Sequence, residues 1–168
     1  MFCYNIKPRG FRVRRLLLPL IILSLALPVH AQEEHVAAAG DIRIVHPWAR
    51  AATAGGETLV FMEILNSGAA DRLLGGETDA AEDVHIVGLS LAGETVSVTE
   101  VGPVDIRPGD FDLDPGGLAL ELHGLSADLV AGSHFDMTVI FEGAGPIALE
   151  VEVEAADASQ HSHAGHSH

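Results

Sequence analysis

Asp83-Val84-His85-Ile86-Val87, Thr95-Val96-Ser97-Val98 and Pro115-Gly116-Gly117-Leu118-Ala119-Leu120-Glu121-Leu122-His123-Gly124-Leu125 carry the plainest strand signal in the chain. In the last of them Leu118, Leu120 and Leu122 point one way and Ala119, Glu121 and His123 the other, which is the two-residue period of a strand. The first two segments flank Ala92-Gly93-Glu94, a turn, so residues 83–91 and 95–101 read as a β-hairpin. Each outer segment carries one histidine among alternating apolar residues. The expectation is that these strands lie side by side and that His85 and His123 sit on one rim.

Outward from this stretch the pattern stays β. Residues 42–46 alternate at first and predict a strand stopped by Pro47. Trp48, the one tryptophan, reads as a packing anchor, and the small, Gly-rich residues 51–57 as a surface loop. Residues 58–65 form an apolar run ended by the turn signal Asn66-Ser67-Gly68. Residues 71–74, 103–106 and 111–113 are short strand candidates, the last two beside Pro-Gly turns. Residues 135–141 and 147–153 are the final strands, joined by Glu142-Gly143-Ala144-Gly145-Pro146. No segment past residue 31 sustains a period of 3.6. Many short strands separated by Gly/Pro/Asn/Asp turns predict an antiparallel β-sandwich. Met62 and Met137 sit in apolar strands and read as core gap-fillers, whereas His46 and His134 read as solvent-facing.

The ends differ from the middle. Lys7, Arg9, Arg12, Arg14 and Arg15 precede the apolar run 16–27, which is too short to span a bilayer comfortably and is followed by the small-residue cleavage pattern Val29-His30-Ala31. Residues 1–31 are therefore expected to be a cleaved signal peptide and the chain to be periplasmic, with no membrane attachment after cleavage. Residues 32–40 read as a flexible arm, 41–154 as the domain, and 155–168 as a disordered tail with too few apolar residues to fold.

Past residue 31 four arginines face 24 acidic residues, a formal charge of −20, with no lysine and no cysteine. Such a surface repels nucleic acid and anionic lipid and suits cations. The lack of cysteine excludes a disulfide scaffold and thiolate metal sites. No nucleophile elbow and no phosphate-binding loop is present, so the chain does not read as an enzyme. His161, His163, His166 and His168 alternate with Ser, Ala and Gly near the C-terminus. That spacing is unlike the pure histidine run of a purification tag, and neutral imidazoles so placed can gather around Cu(II), Zn(II) or Ni(II).

Pro47-Trp48-Ala49-Arg50-Ala51, Phe61-Met62-Glu63-Ile64-Leu65-Asn66-Ser67-Gly68, Asp71-Arg72-Leu73-Leu74-Gly75 and the Pro115-Gly116-Gly117 strand resemble, in order and spacing, the periplasmic copper chaperones called PCu(A)C. The resemblance covers nearly all of residues 42–153. It implies a cupredoxin-like, Greek-key β-sandwich and delivery of copper for cytochrome oxidase assembly, with assembly proteins as partners. It also implies a ligand set of one histidine, a later methionine and a His-x-Met pair. His85 fits the first histidine. The methionine falls on Val96 or Val98, and the pair falls on Ala119 and Glu121. Thioether sulfur selects Cu(I), and here it is missing. His123 lies two residues past Glu121 on the same face and could replace part of what is lost. The metal-site candidates are thus His85, Glu121 and His123 in the domain and His161, His163, His166 and His168 in the tail. Imidazole and carboxylate suit Cu(II), or zinc, better than Cu(I). The tail is expected to supply most of the Cu(II) affinity. The function expected is that of a copper chaperone or buffer. The alternative is a ligand-depleted assembly module that kept the fold.

Overall fold

The computed structural model describes residues 36–92 and 95–161. Eleven strands follow in chain order: β1 (Val36–Ala39), β2 (Ile42–Arg50), β3 (Glu57–Asn66), β4 (Asp71–Glu77), β5 (Asp83–Ala92), β6 (Thr95–Glu100), β7 (Val104–Ile106), β8 (Gly109–Leu113), β9 (Leu118–His123), β10 (His134–Phe141) and β11 (Gly145–Glu154). Among the described residues there is no helix. The strands form one open sheet in the order β6-β5-β9-β3-β2-β11-β10-β4-β7, with β1 paired to β2 and β8 to β3.

Most of the strands pack around one large apolar cluster. Ile44, Val60, Ile64, Leu73, Ile106, Leu120, Leu122, Val139, Phe141 and Val151, from seven different strands, belong to one buried cluster. Each such side chain contributes roughly 1.5–3 kcal/mol by leaving water. The leucines of β9 explain the choice of face: Leu120 and Leu122 are fully buried in this cluster. Met62 and Met137 lie in the core as expected. Asn66 is buried as well. Its Nδ2 donates to the carbonyls of Ala69 (2.7 Å) and Ile106 (3.1 Å), and its Oδ1 accepts from the Gly68 N–H at 2.9 Å. The turn signal at Asn66-Ser67-Gly68 is thus a tie between β3 and β7.

Three expectations change. The sheet is mixed, because β11 runs parallel to β2 with Trp48 opposite Glu152, while every other ladder is antiparallel. The direction of β11 is set by its hairpin with β10, and it meets β2 running the same way. Pro47 does not stop β2. The register with β3 shifts between Val45 and Trp48, so His46 and Pro47 form a bulge, where a missing N–H removes no ladder bond. His46 takes φ 52° there. Residues 36–39, expected as part of a loose arm, form β1, whose Ala37 lies opposite Ile44. Residues 1–31 and the arm up to residue 35 lie outside the described residues.

Candidate metal centre

β5 and β9 are adjacent and antiparallel, as their sequence suggested. His85 lies opposite Glu121, Val87 opposite Ala119, and Asp83 opposite His123. On the other side of β9, Glu57 of β3 lies opposite His123 and Leu59 opposite Glu121. Directly opposed residues share a face of a sheet. One face of β3, β9 and β5 therefore carries Glu57, His123 and Asp83 in one row and Leu59, Glu121 and His85 in the next. Gly124 ends β9 with φ 65°, a left-handed turn that a side chain would resist, since a Cβ there would come within 2.9 Å of Glu82.

The imidazoles and carboxylates meet at this rim. His123 Nε2 donates to Glu121 Oε2 at 2.8 Å, and its Nδ1 lies 3.5 Å from Glu57 Oε1. His85 Nδ1 lies 3.5 Å from Glu100 Oε1 on β6. The two rings stand edge to face with centroids 5.4 Å apart. A ring centre sits about 3.2 Å from an ion ligated at about 2.0–2.1 Å, so two ligating rings around a tetrahedral ion have centres about 5 Å apart. The observed spacing is close to that value. The hydrogen bond to Glu121 holds the His123 imidazole above its ordinary pKa; partial burial opposes this, and the charges of Glu121, Glu57 and Asp83 reinforce it.

One row further along the same face the chemistry ends. Ala119 is fully buried in a second apolar cluster with Trp48, Phe61, Val87 and Leu89. Trp48 and Phe61 pack with centroids 4.6 Å apart, and the Arg50 guanidinium lies 5.4 Å from the Phe61 ring centre. No ligand can be offered from position 119. The alternation seen in the sequence puts Ala119 on the face of Glu121 and His123, but that face is covered at the level of residue 119. Val96 and Val98 are both exposed. Val98, with Glu57, Leu59 and Glu121, lines a shallow cavity of about 260 Å³, so it is the valine that stands nearest the rim carboxylates.

His161 is placed differently from the expectation. The sequence put it in a disordered tail, yet its side chain is buried against the folded domain. Its Nε2 lies 3.0 Å from Glu152 Oε2 and 3.9 Å from Glu154 Oε1. His46, expected to face solvent, is half-buried, with its ring centroid 5.8 Å from that of His161. His134 is exposed, as expected. His163, His166 and His168 lie outside the described residues. Glu57, Glu100, Glu152 and Glu154 were not singled out by the sequence reading. Their one signal was alternation, which put Glu152 and Glu154 on the polar side of a strand whose Val151 and Val153 are core.

Comparison with known proteins agrees with this architecture. The pattern of a family described as lipoproteins of the LpqE-like type matches residues 42–153. The chain belongs to the LpqE-like family. A Leifsonia xyli subsp. xyli (strain CTCB07) protein named as a lipoprotein, Lxx21020, is 28% identical over 149 residues, covering 86% of this chain and 89% of its own. The copper-bound PCuAC domain from PmoF2 is 30% identical, with a TM-score of 0.61, covering 72% of this chain and 98% of that domain. The apo PCuAC domain from PmoF1 is 27% identical, with a TM-score of 0.62 and coverage of 72% and 99%. The LpqE-like domain here therefore has the PCuAC fold, as the resemblance implied.

Proposed function

We propose that this LpqE-like protein is an exported copper-binding protein, a chaperone or buffer that carries Cu(II) on the rim formed by His85, Glu121 and His123. The observation that carries the reading is the pair of imidazoles at 5.4 Å with Glu121 bonded to one of them, on strands β5 and β9. The copper-bound PCuAC domain among the similar structures supports copper as the cargo. The family's lipoprotein description supports export, and the signal-like residues 1–31 support a periplasmic address. Release for cytochrome oxidase assembly remains part of the proposal, resting on the family resemblance.

The chemistry of the donors sets the ion. Two imidazoles and a carboxylate are borderline-to-hard ligands suited to Cu(II) and Zn(II), and among the described residues no thioether stands at the rim to favour Cu(I). Glu57 and Glu100 hold the outer nitrogens of the two rings and can steer and partly neutralise an arriving cation. His163, His166 and His168 add three more imidazoles to the chain as further candidate donors. The rival reading, a module that no longer carries copper, is favoured by one observation: Ala119 is buried under Trp48 and Phe61 where a ligand would be needed.

The test is a Cu(II) titration of the chain with His163, His166 and His168 replaced by alanine, beside the same chain also carrying His85→Ala and His123→Ala. The rim reading expects the second protein to bind one Cu(II) fewer. Equal stoichiometry and affinity in both would leave the rim without a metal role and favour the rival.

A further inference from the structure

Residues 155–161 fold back over the domain after β11. Arg50 Nε donates to the Ala158 carbonyl at 2.8 Å, and Ala158 packs on the Trp48/Phe61 cluster. This strap carries His161 to the polar side of β11, where it lies beside Glu152 and Glu154. Each of the three residues offers one ligand atom, and these atoms lie within 4.8 Å of one another. The side chains are 5%, 14% and 13% exposed, so this is a built pocket and not a patch of surface charge. From the β2 bulge the His46 ring lies beside that of His161, with centroids 5.8 Å apart.

We propose that Glu152, Glu154 and His161, with His46 as the fourth donor, form a second site for a borderline divalent cation such as Zn(II) or Cu(II). The spacing fits. Donor atoms around a tetrahedral ion at about 2.1 Å stand about 3.4 Å apart, between the 3.0 and 3.9 Å that separate His161 Nε2 from the two carboxylates. The His46–His161 centroid spacing of 5.8 Å is wider than that of two rings on one tetrahedral ion, so His46 joins as a donor by turning toward the ion. Two carboxylates and two neutral imidazoles match the charge of a divalent ion. On binding, the ion takes the place of the proton between His161 and Glu152, and that proton leaves to solvent. The bound ion then fastens the strap to β2 and β11 through residues from three parts of the chain. The proposal stands independently of the rim, with which it shares no ligand.

The test uses the full chain with His163, His166 and His168 replaced by alanine and with His85→Ala and His123→Ala, so that neither the rim nor the outer tail contributes. Zn(II) is added in competition with a chromophoric chelator. The expected result is one Zn(II) per chain, with affinity lowered roughly tenfold to a hundredfold by Glu152→Gln together with Glu154→Gln, while circular dichroism shows the β fold retained. No retained Zn(II), or a value unmoved by the two amide substitutions, overturns the proposal. A second readout needs no substitution: in the unaltered chain, Zn(II) at one equivalent should shift the ring protons of His161 and His46. An unshifted His161 throughout the titration also overturns it.

Discussion

The same residue types meet twice in this protein, on the β5/β9 rim and under the C-terminal strap, and burial separates the two places. At the rim the His85 and His123 side chains are 39% and 37% exposed and their outer carboxylates more so. Under the strap His161 is 5% exposed and sits between carboxylates almost as covered. Exposed ion pairs are worth little and are screened by salt, whereas covered ones interact strongly and lose much when one partner goes. A cation at the proposed rim site would exchange readily, which fits the proposed chaperone or buffer role. One under the strap would be held by groups that the fold already fixes. The two regions also rest on one floor, the Trp48/Phe61 cluster, which touches Ala119 of the rim strand on one side and Ala158 of the strap on the other.

The largest expected effect comes from removing that floor. Trp48→Ala deletes a buried indole packed at a tilt against Phe61 and should cost about 3–5 kcal/mol of stability in urea unfolding followed by circular dichroism. It should also weaken both proposed metal sites at once. Loss of stability with only one region disturbed would mean that the two do not share a support.

The next effect separates them. His161→Ala removes a buried imidazole and its 3.0 Å contact with Glu152 and should cost about 1–3 kcal/mol. His85→Ala removes an exposed ring whose ion pair with Glu100 spans 3.5 Å and should stay within about 0.5 kcal/mol. Thermal unfolding of the two variants side by side reads the contrast, and equal losses would break it.

The legibility of the chain follows the same division. β9 was read to the residue, because its leucines alternate and one face is core. The β5/β6 hairpin was legible from its turn, and the adjacency of β5 and β9 from the one histidine that each carries among alternating apolar residues. What stayed hidden depended on contacts distant in sequence. The parallel meeting of β2 with β11 leaves no periodic trace. Pro47 signals a strand end, and only the partner strand shows that it occupies a bulge. The polar, Ala-rich composition of residues 155–161 reads as disorder, since the hold on it comes from Arg50, Trp48 and Glu152, far away in sequence. The rim trio His85, Glu121 and His123 was nameable from the sequence, but the burial of Ala119 was not, because strand alternation says which face a residue takes and not what covers that face.

A smaller effect is set by protons. The Glu121 hydrogen bond, opposed by burial and aided by nearby carboxylates, holds the His123 pKa in the folded chain above its ordinary value. The stabilisation from that contact is therefore complete below the unfolded imidazole pKa and is lost as pH rises through the higher folded value. With His123 this exposed, the change in stability is slight, and NMR titration of the metal-free chain is the sensitive measurement. Its midpoint should lie above that of an ordinary imidazole and fall in Glu121→Gln. A midpoint at or below the ordinary value would mean that the 2.8 Å contact does not persist in solution.

The proposed preference of the rim for Cu(II) turns on its donors being imidazole and carboxylate in place of thioether. The direct measurement is a pair of titrations, Cu(II) in air and Cu(I) under reductant, on the chain whose His163, His166 and His168 are alanine, with and without Glu121→Met. The account predicts tighter Cu(II) than Cu(I) in the parent and a shift toward Cu(I) once a thioether stands at position 121. A parent chain that prefers Cu(I), or an order of affinities unmoved by Glu121→Met, would contradict it.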